Sequence, residues 1–255
     1  GKVNAQPYPF GPSDGGSDAN LSWDSGGDHA LRRQRIRNFL TLLYLSRGVP
    51  MIVSGDEYGR TQNGNNNPWC IDTIGIWNNW AMAGSNAPQQ VPVDPDHPDL
   101  HYHDNLGQGL TPDGVNPLLR FTAFVARLRQ RHPGLRQRAY GDAVLGGDDV
   151  SYLFLSPDGQ GHPSGSDRCL VVLIDCAATG AGDLCLLINM ADQQVSFAVP
   201  QTSSPRPWRI LIDTATQAEP YGNVWEAGAG PVAEGSHDVQ AWSIVVLSNA
   251  DREDG

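Results

Sequence analysis

Between residues 56 and 80 the chain places Asp56, Glu57 and Arg60, then three consecutive amides, Asn65, Asn66 and Asn67, then Trp69, Trp77 and Trp80. Carboxylates, a guanidinium and amides can match sugar hydroxyls as donors and acceptors, and indole rings offer flat apolar faces to sugar rings. That combination fits a carbohydrate site, so Asp56, Glu57, Arg60, Asn65, Asn66, Asn67, Trp69 and Trp77 are the candidate substrate-binding residues. The same letters have a plainer account. Asn- and Gly-rich loops are often turns that tolerate left-handed backbone, and a loop Trp often plugs a core. Residue types alone do not decide between the two.

The elements that must position these groups are marked by period and punctuation. Residues 49–53 are a short apolar run between Gly48 and the pair Ser54-Gly55, the pattern of a strand buried on both faces in a parallel sheet. In α/β barrels the chemistry sits at the carboxyl ends of such strands, where Asp56, Glu57 and Arg60 would fall. Upstream, Asp28 is a candidate N-cap for a helix through about Ser46, ended by Gly48-Val49-Pro50. Downstream, Asn116 and Pro117 open a second helix with Leu118, Leu119, Phe121, Phe124, Val125 and Leu128 on its inner side, stopped by His132-Pro133-Gly134. Between them, residues 91–114 read as a long irregular excursion. His97, His101 and His103 lie there among several Asp residues, but turn chemistry explains those letters without a frame to fix ligands, and no metal site is expected.

Beyond Arg136 the period changes. Residues 150–155, 169–174, 184–189, 195–199, 208–212 and 242–247 are short β-rich runs separated by Gly, Pro, Asp and Ser clusters, which implies an antiparallel sandwich. Its aromatics Tyr221 and Trp225 fit glucan binding, though such a domain more often caps its neighbour.

The segments around residues 47–80, GVPMIVSGDEYGRTQNGNNN and WNNW among them, resemble the region of the eighth barrel strand in isoamylase-type debranching enzymes of the α-amylase superfamily. The segment SDGGSDANLSWDSGGDHALRRQRIRNFL resembles that family's approach to the preceding helix, and LRFTAFVARLRQRHPGLR its last barrel helix. The resemblance runs over roughly residues 14–136, and WSIVVL near the end resembles the closing strand of the family's C-terminal β-domain. It implies residues 1–136 as the last part of a (β/α)8 TIM barrel and residues 137–255 as a C-terminal antiparallel β-sandwich. It also implies hydrolysis of α-1,6-glucosidic branch linkages in glycogen or amylopectin by a retaining mechanism.

That mechanism needs two carboxyl groups roughly 5–5.5 Å apart across the scissile bond. The family's nucleophile, acid/base and stabilising Asp motifs have no match here, and neighbouring Asp56 and Glu57, leaving a strand on opposite sides, make a poor dyad. The expectation is an incomplete portion of such an enzyme, inactive alone, with no catalytic residue of its own. Two alternatives compete: a non-catalytic glucan-binding or regulatory isoamylase-like subunit, and a remnant persisting only as its sandwich.

Composition fits a glucan partner. A formal net charge of -11 argues against nucleic acid, whose phosphates call for clustered Lys and Arg. No apolar run approaches the ~18 residues a membrane-spanning helix needs. Arg32, Arg33, Arg35 and Arg37 interleave with Leu31, Ile36, Phe39, Leu40 and Leu43 at helical spacing and are expected on a solvated face. Four cysteines, Cys70, Cys169, Cys176 and Cys185, lack zinc spacing and read as structural thiols, which suit a cytosolic or plastid stroma setting. No cofactor is implied.

Overall fold

The structure is a computed structural model that describes residues 23–60, 78, 80–84, 92–94, 97–101, 108–138, 149–201 and 206–250. The chain divides into two units, residues 1–33 with 52–122 and residues 34–51 with 123–255. In chain order the helices and strands are α1 (His29–Leu45), β1 (Pro92–Asp94), β2 (His97–His101), α2 (Pro117–Arg131), β3 (Ser151–Leu155), β4 (Cys169–Asp175), β5 (Leu184–Asn189), β6 (Val195–Ala198), β7 (Trp208–Asp213), β8 (Val232–Ala233), β9 (Ser236–Val239) and β10 (Ser243–Ser248).

The first unit contains the start of each helix. Asp28 caps α1 as its sequence suggests, its carboxylate accepting from the Leu31 amide at 3.0 Å. Asn116 does the same for α2, where its side-chain oxygen accepts from Leu118 and Leu119 at 2.9 and 3.1 Å. Each cap satisfies amides that have no partner inside the helix. The irregular excursion is less irregular than expected, because β1 and β2 pair antiparallel within it.

The second unit is built on a six-stranded antiparallel sheet in the order β3-β4-β5-β10-β7-β8, with a two-stranded ribbon of β6 and β9. Every residue of β5 and β10 is buried, which places these two strands at the centre with both faces covered. On one face Val171, Leu173, Cys185, Leu187, Val245 and Leu247 pack with Phe197 and Val239 of the ribbon. On the other, Leu211 and Ser248 line a cavity of about 290 Å³ with Phe124, Leu128 and His132. Cys169, Cys176 and Cys185 are free thiols, and burial pushes the Cys176 thiol up to about 12, so it packs as a small hydrophobe.

The second unit also claims the body of α1, by polar contacts rather than by the apolar stripe the sequence offers. Gln34 donates to the carbonyls of Ala241 and Trp242, both at 2.8 Å, and accepts from the Thr216 amide at 3.0 Å. Asn38 donates to Trp242 and accepts from the Thr214 hydroxyl. Arg37 donates through Nε to the Thr214 carbonyl at 2.9 Å and pairs with Glu219 at 3.0 Å. The Arg35 guanidinium lies 5.9 Å from the Trp242 ring centroid. The solvated face expected for the four arginines is therefore wrong for two of them: Arg35 and Arg37 are buried, while Phe39 is 61% exposed. Turns of the sandwich expose carbonyls and hydroxyls, and a polar helix face satisfies them where an apolar one would leave them unpaired.

Residues 49–53 also depart from expectation. They form no strand, and Val49, Met51 and Val53 are 93%, 86% and 60% exposed. A parallel strand is stable only with partners at its edges, and no described strand pairs with this segment.

Burial in the second unit sets a pH dependence. His132 and His237 both have pKa values lowered by burial, against the opposing pull of Asp183 on the first and of Asp213 and Asp238 on the second. The unfolded chain then binds more protons below about 6.5, so stability is undiminished above that pH and falls as pH drops through it. Burial raises the Asp213 pKa, a penalty present at neutral pH and relieved as pH falls toward the ordinary carboxyl range, where it opposes the histidine effect. Urea midpoints for the second unit should fall between pH 7 and pH 5 and level off at lower pH. The fall should flatten in a His132→Gln, His237→Gln variant; an equal fall in that variant would contradict the assignment.

Candidate functional site

The sequence candidates that the structure describes converge in one turn of the first unit. Asp56, Glu57 and Tyr58 form a single 3-10 turn between Gly55 and Gly59, both left-handed, with φ 101° and 80°. Asp56 accepts from the Val53 amide at 3.0 Å, and its own amide donates back to the Val53 carbonyl at 2.9 Å. Glu57 accepts from the Gly55 amide at 2.8 Å. The Arg60 amide donates to the Gly55 carbonyl at 2.9 Å and closes the loop. Both carboxylates thus cap backbone donors of their own turn, which no described strand holds. Acidic side chains at the start of a short helical turn are favoured for the same reason that they cap longer helices.

The turn is clamped from outside by residues the candidate set omits. Asn78 donates to the Ser54 hydroxyl at 3.1 Å and accepts from the Tyr58 hydroxyl at 3.4 Å. The side-chain amide of Asn116 donates to the carbonyls of Tyr58 and Met82, and the Thr122 hydroxyl donates to the Glu57 carbonyl at 3.0 Å. One residue, Asn116, therefore caps α2 with its oxygen and holds the turn with its nitrogen. Tyr58 is buried, and that burial, reinforced by the charge of Glu57 and opposed by Arg60, raises its phenol pKa. Its ring meets Trp80 edge-on at 5.9 Å between centroids, and Trp80 is left 61% exposed.

The sequence signal for Asn78 and Trp80 was the WNNW segment, whose Asn residues carry no period that singles one out. Asn65, Asn66, Asn67, Trp69 and Trp77 lie outside the described residues, as do the side chains of His97, His101 and His103. Among the described residues no group of His, Cys, Asp and Glu could hold a metal ion, and no described helix is long and apolar enough to cross a membrane.

Gly55 is the tightest point of this turn. A Cβ there would stand 2.5 Å from the Asn78 side-chain oxygen and 2.6 Å from the Arg60 Cδ, on backbone that L side chains rarely adopt. Gly55→Ala is expected to cost about 1–3 kcal/mol of local stability through backbone strain alone. Hydrogen exchange should show the Tyr58 and Arg60 amides losing protection, while amides of β5 and β10 stay as they were. Unchanged protection at Arg60 would mean that the turn does not depend on this glycine.

Chemically the turn presents a guanidinium-bearing residue, Arg60, and an exposed indole, Trp80, on a backbone fixed by side-chain caps. Asp56 and Glu57 each spend carboxylate acceptor capacity on a backbone amide of the turn itself.

Comparison with known proteins bears on this arrangement. Residues 155–248, most of the sandwich, match the family model described as isoamylase, C-terminal. The chain is 33% identical over 258 aligned residues to an isoamylase of Flavobacterium sp, an alignment covering 96% of this chain and 30% of that protein. It is 28% identical to a glycogen operon protein GlgX homolog of Mycobacterium bovis, covering 91% of this chain and 31% of that protein. In fold it resembles a pullulanase from Bacillus acidopullulyticus, with a TM-score of 0.55 at 14% identity over 91% of this chain and 22% of that one. The chain thus spans about a third, or less, of these relatives' length. Residues 155–248 thus carry an isoamylase C-terminal domain, and along nearly all of its residues the chain is similar to isoamylase-type proteins.

Proposed function

We propose that this chain is part of a glycoside hydrolase that hydrolyses α-1,6-glucosidic branch linkages in glycogen or amylopectin with retention. The observation that carries the reading is the similarity to an isoamylase over 96% of the chain, which includes the segment holding the capped turn. In this reading residues 1–136 contribute the last part of a (β/α)8 barrel and one wall of its cleft, and the nucleophile and acid/base come from polypeptide outside the 255 residues. The 255 residues alone are then inactive.

The reading gives each candidate residue a role. Asp56 and Glu57 shape the turn by accepting backbone amides, and Arg60 reaches a sugar hydroxyl or orients a carboxylate of the completed cleft. Asn65, Asn66 and Asn67 recognise glucosyl hydroxyls near the branch point. Trp69 and Trp77, with the exposed Trp80, supply stacking faces. The alternative of a non-catalytic glucan-binding subunit shares these contacts and differs only in the absence of turnover.

The test uses a polypeptide as long as the isoamylase relatives. One lost hydrogen bond to a bound hydroxyl is worth on the order of 1 kcal/mol, so Asn66→Ala should lower kcat/KM on branched glucan by roughly fivefold without changing the melting temperature. Equal kcat/KM would reduce the asparagine run to scaffolding. Glucan binding with no turnover in the unmodified protein would favour the subunit reading.

A further inference from the structure

The segment joining β7 to β8 holds an aromatic pair, one ring seated against the core and the other in solvent. Tyr221 is 70% exposed, and its ring lies 6.1 Å from that of Trp225 with an angle of 32° between the planes. Trp225 packs partly against the core, so it anchors the pair while Tyr221 leans into solvent.

The presentation is rigid. Residues Thr216–Tyr221 form a short 3-10 helix, ended by Gly222 with φ 76° and Asn223 with φ 65°. Asn223 pays for its left-handed backbone by donating its side-chain amide to the carbonyls of Asp213 at 2.7 Å and Ala215 at 2.8 Å. The Trp225 amide donates to the Leu211 carbonyl at 3.0 Å, and Val224 bridges Ile212 of β7. Beneath the segment, Glu219 is tied to Arg37. Ordering costs are therefore met by the fold, which is the condition under which a small exposed surface binds usefully.

We infer that Tyr221 and Trp225 form an α-glucan contact on the sandwich, which holds a linear α-1,4-linked stretch of the polymer. The inference rests on the proposed action on α-glucan. The apolar C–H faces of two successive glucosyl units suit two rings tilted against each other, and the Tyr221 hydroxyl supplies a hydrogen bond at the edge. A neutral polymer also suits a chain of net charge -11, whereas stacked nucleic-acid bases would bring phosphates without clustered cations to meet them.

Native gel electrophoresis of the 255-residue chain through glycogen, with maltoheptaose as soluble competitor, tests this. Glycogen should retard the chain, maltoheptaose should relieve the retardation, and Tyr221→Ala should weaken it roughly fivefold. Trp225→Phe should weaken it less, and Phe154→Ala, at another exposed aromatic of the sandwich, should leave it unchanged. No retardation, retardation that Tyr221→Ala does not alter, or equal loss in Phe154→Ala would overturn the inference. Because this assay involves no hydrolysis, retardation that depends on Tyr221 would stand even if the longer protein failed to cleave branches. Cleavage without retardation would sink the platform alone.

Discussion

Arg37→Ala is expected to cost the second unit about 3–5 kcal/mol, because it breaks a buried ion pair and leaves the partner uncompensated. The Arg37 side chain is 4% exposed and that of Glu219 14%, at a separation of 3.0 Å, and Arg37 Nε also serves the Thr214 carbonyl. Truncation would strand a carboxylate and a carbonyl in a site too enclosed for water to repair fully. The double variant Arg37→Met, Glu219→Leu removes both charges at similar volume and should recover most of the loss. Urea unfolding followed by exchange of the β5 and β10 amides measures both. A single-variant loss below about 1 kcal/mol, the range of exposed pairs, would mean that the contact is held in water.

Phe197→Ala should have a comparable effect by a different route, about 3–5 kcal/mol from lost transfer energy and an unfilled cavity. Phe197 is fully buried on β6, where the ribbon packs against Cys185, Leu187, Val245 and Leu247 of the central strands. Its register partner is His237, so the ribbon cannot close over the void without moving β9 as well. Phe197→Leu keeps most of the volume and should cost less than about 1.5 kcal/mol. Equal losses for the two variants would show that the ribbon is loosely seated.

In the second half of the chain, strands were legible where short apolar, β-rich runs were bounded by turn formers. The run at 169–174 lies within Cys169–Asp175, and that at 184–189 is Leu184–Asn189. The run at 242–247 begins one residue late, because Trp242 has a φ of 56° that no strand accommodates. β8 and β9 escaped notice. Val232–Ala233 is two residues long, and Ser236–Val239 is polar at an edge where pairing, not composition, makes the strand. Helix starts were readable from Asp28 and Asn116 because a cap is a local interaction.

The burial of Arg35 and Arg37 was not readable, since their partners lie on turns of the sandwich far downstream and nothing within α1 distinguishes a docked arginine from a solvated one. The run at 49–53 shows the converse failure. Its letters carry strand propensity, yet the state depends on neighbouring strands that hydropathy cannot supply. At the candidate site, Asp56, Glu57 and Arg60 share one turn because they are neighbours in the chain. The clamp from Asn78, Asn116 and Thr122 was hidden because it joins separate stretches of chain.

The proposed function requires that residues 1–136 form one wall of a branch-cleaving cleft whose reactive acids lie outside the 255 residues. The most direct measurement is the chain-length profile of amylopectin after incubation with a polypeptide as long as the isoamylase relatives and, in parallel, with the 255 residues by themselves. Linear chains released by the longer protein and none by the shorter is the predicted result. Linear chains released by the 255 residues unaided would contradict it.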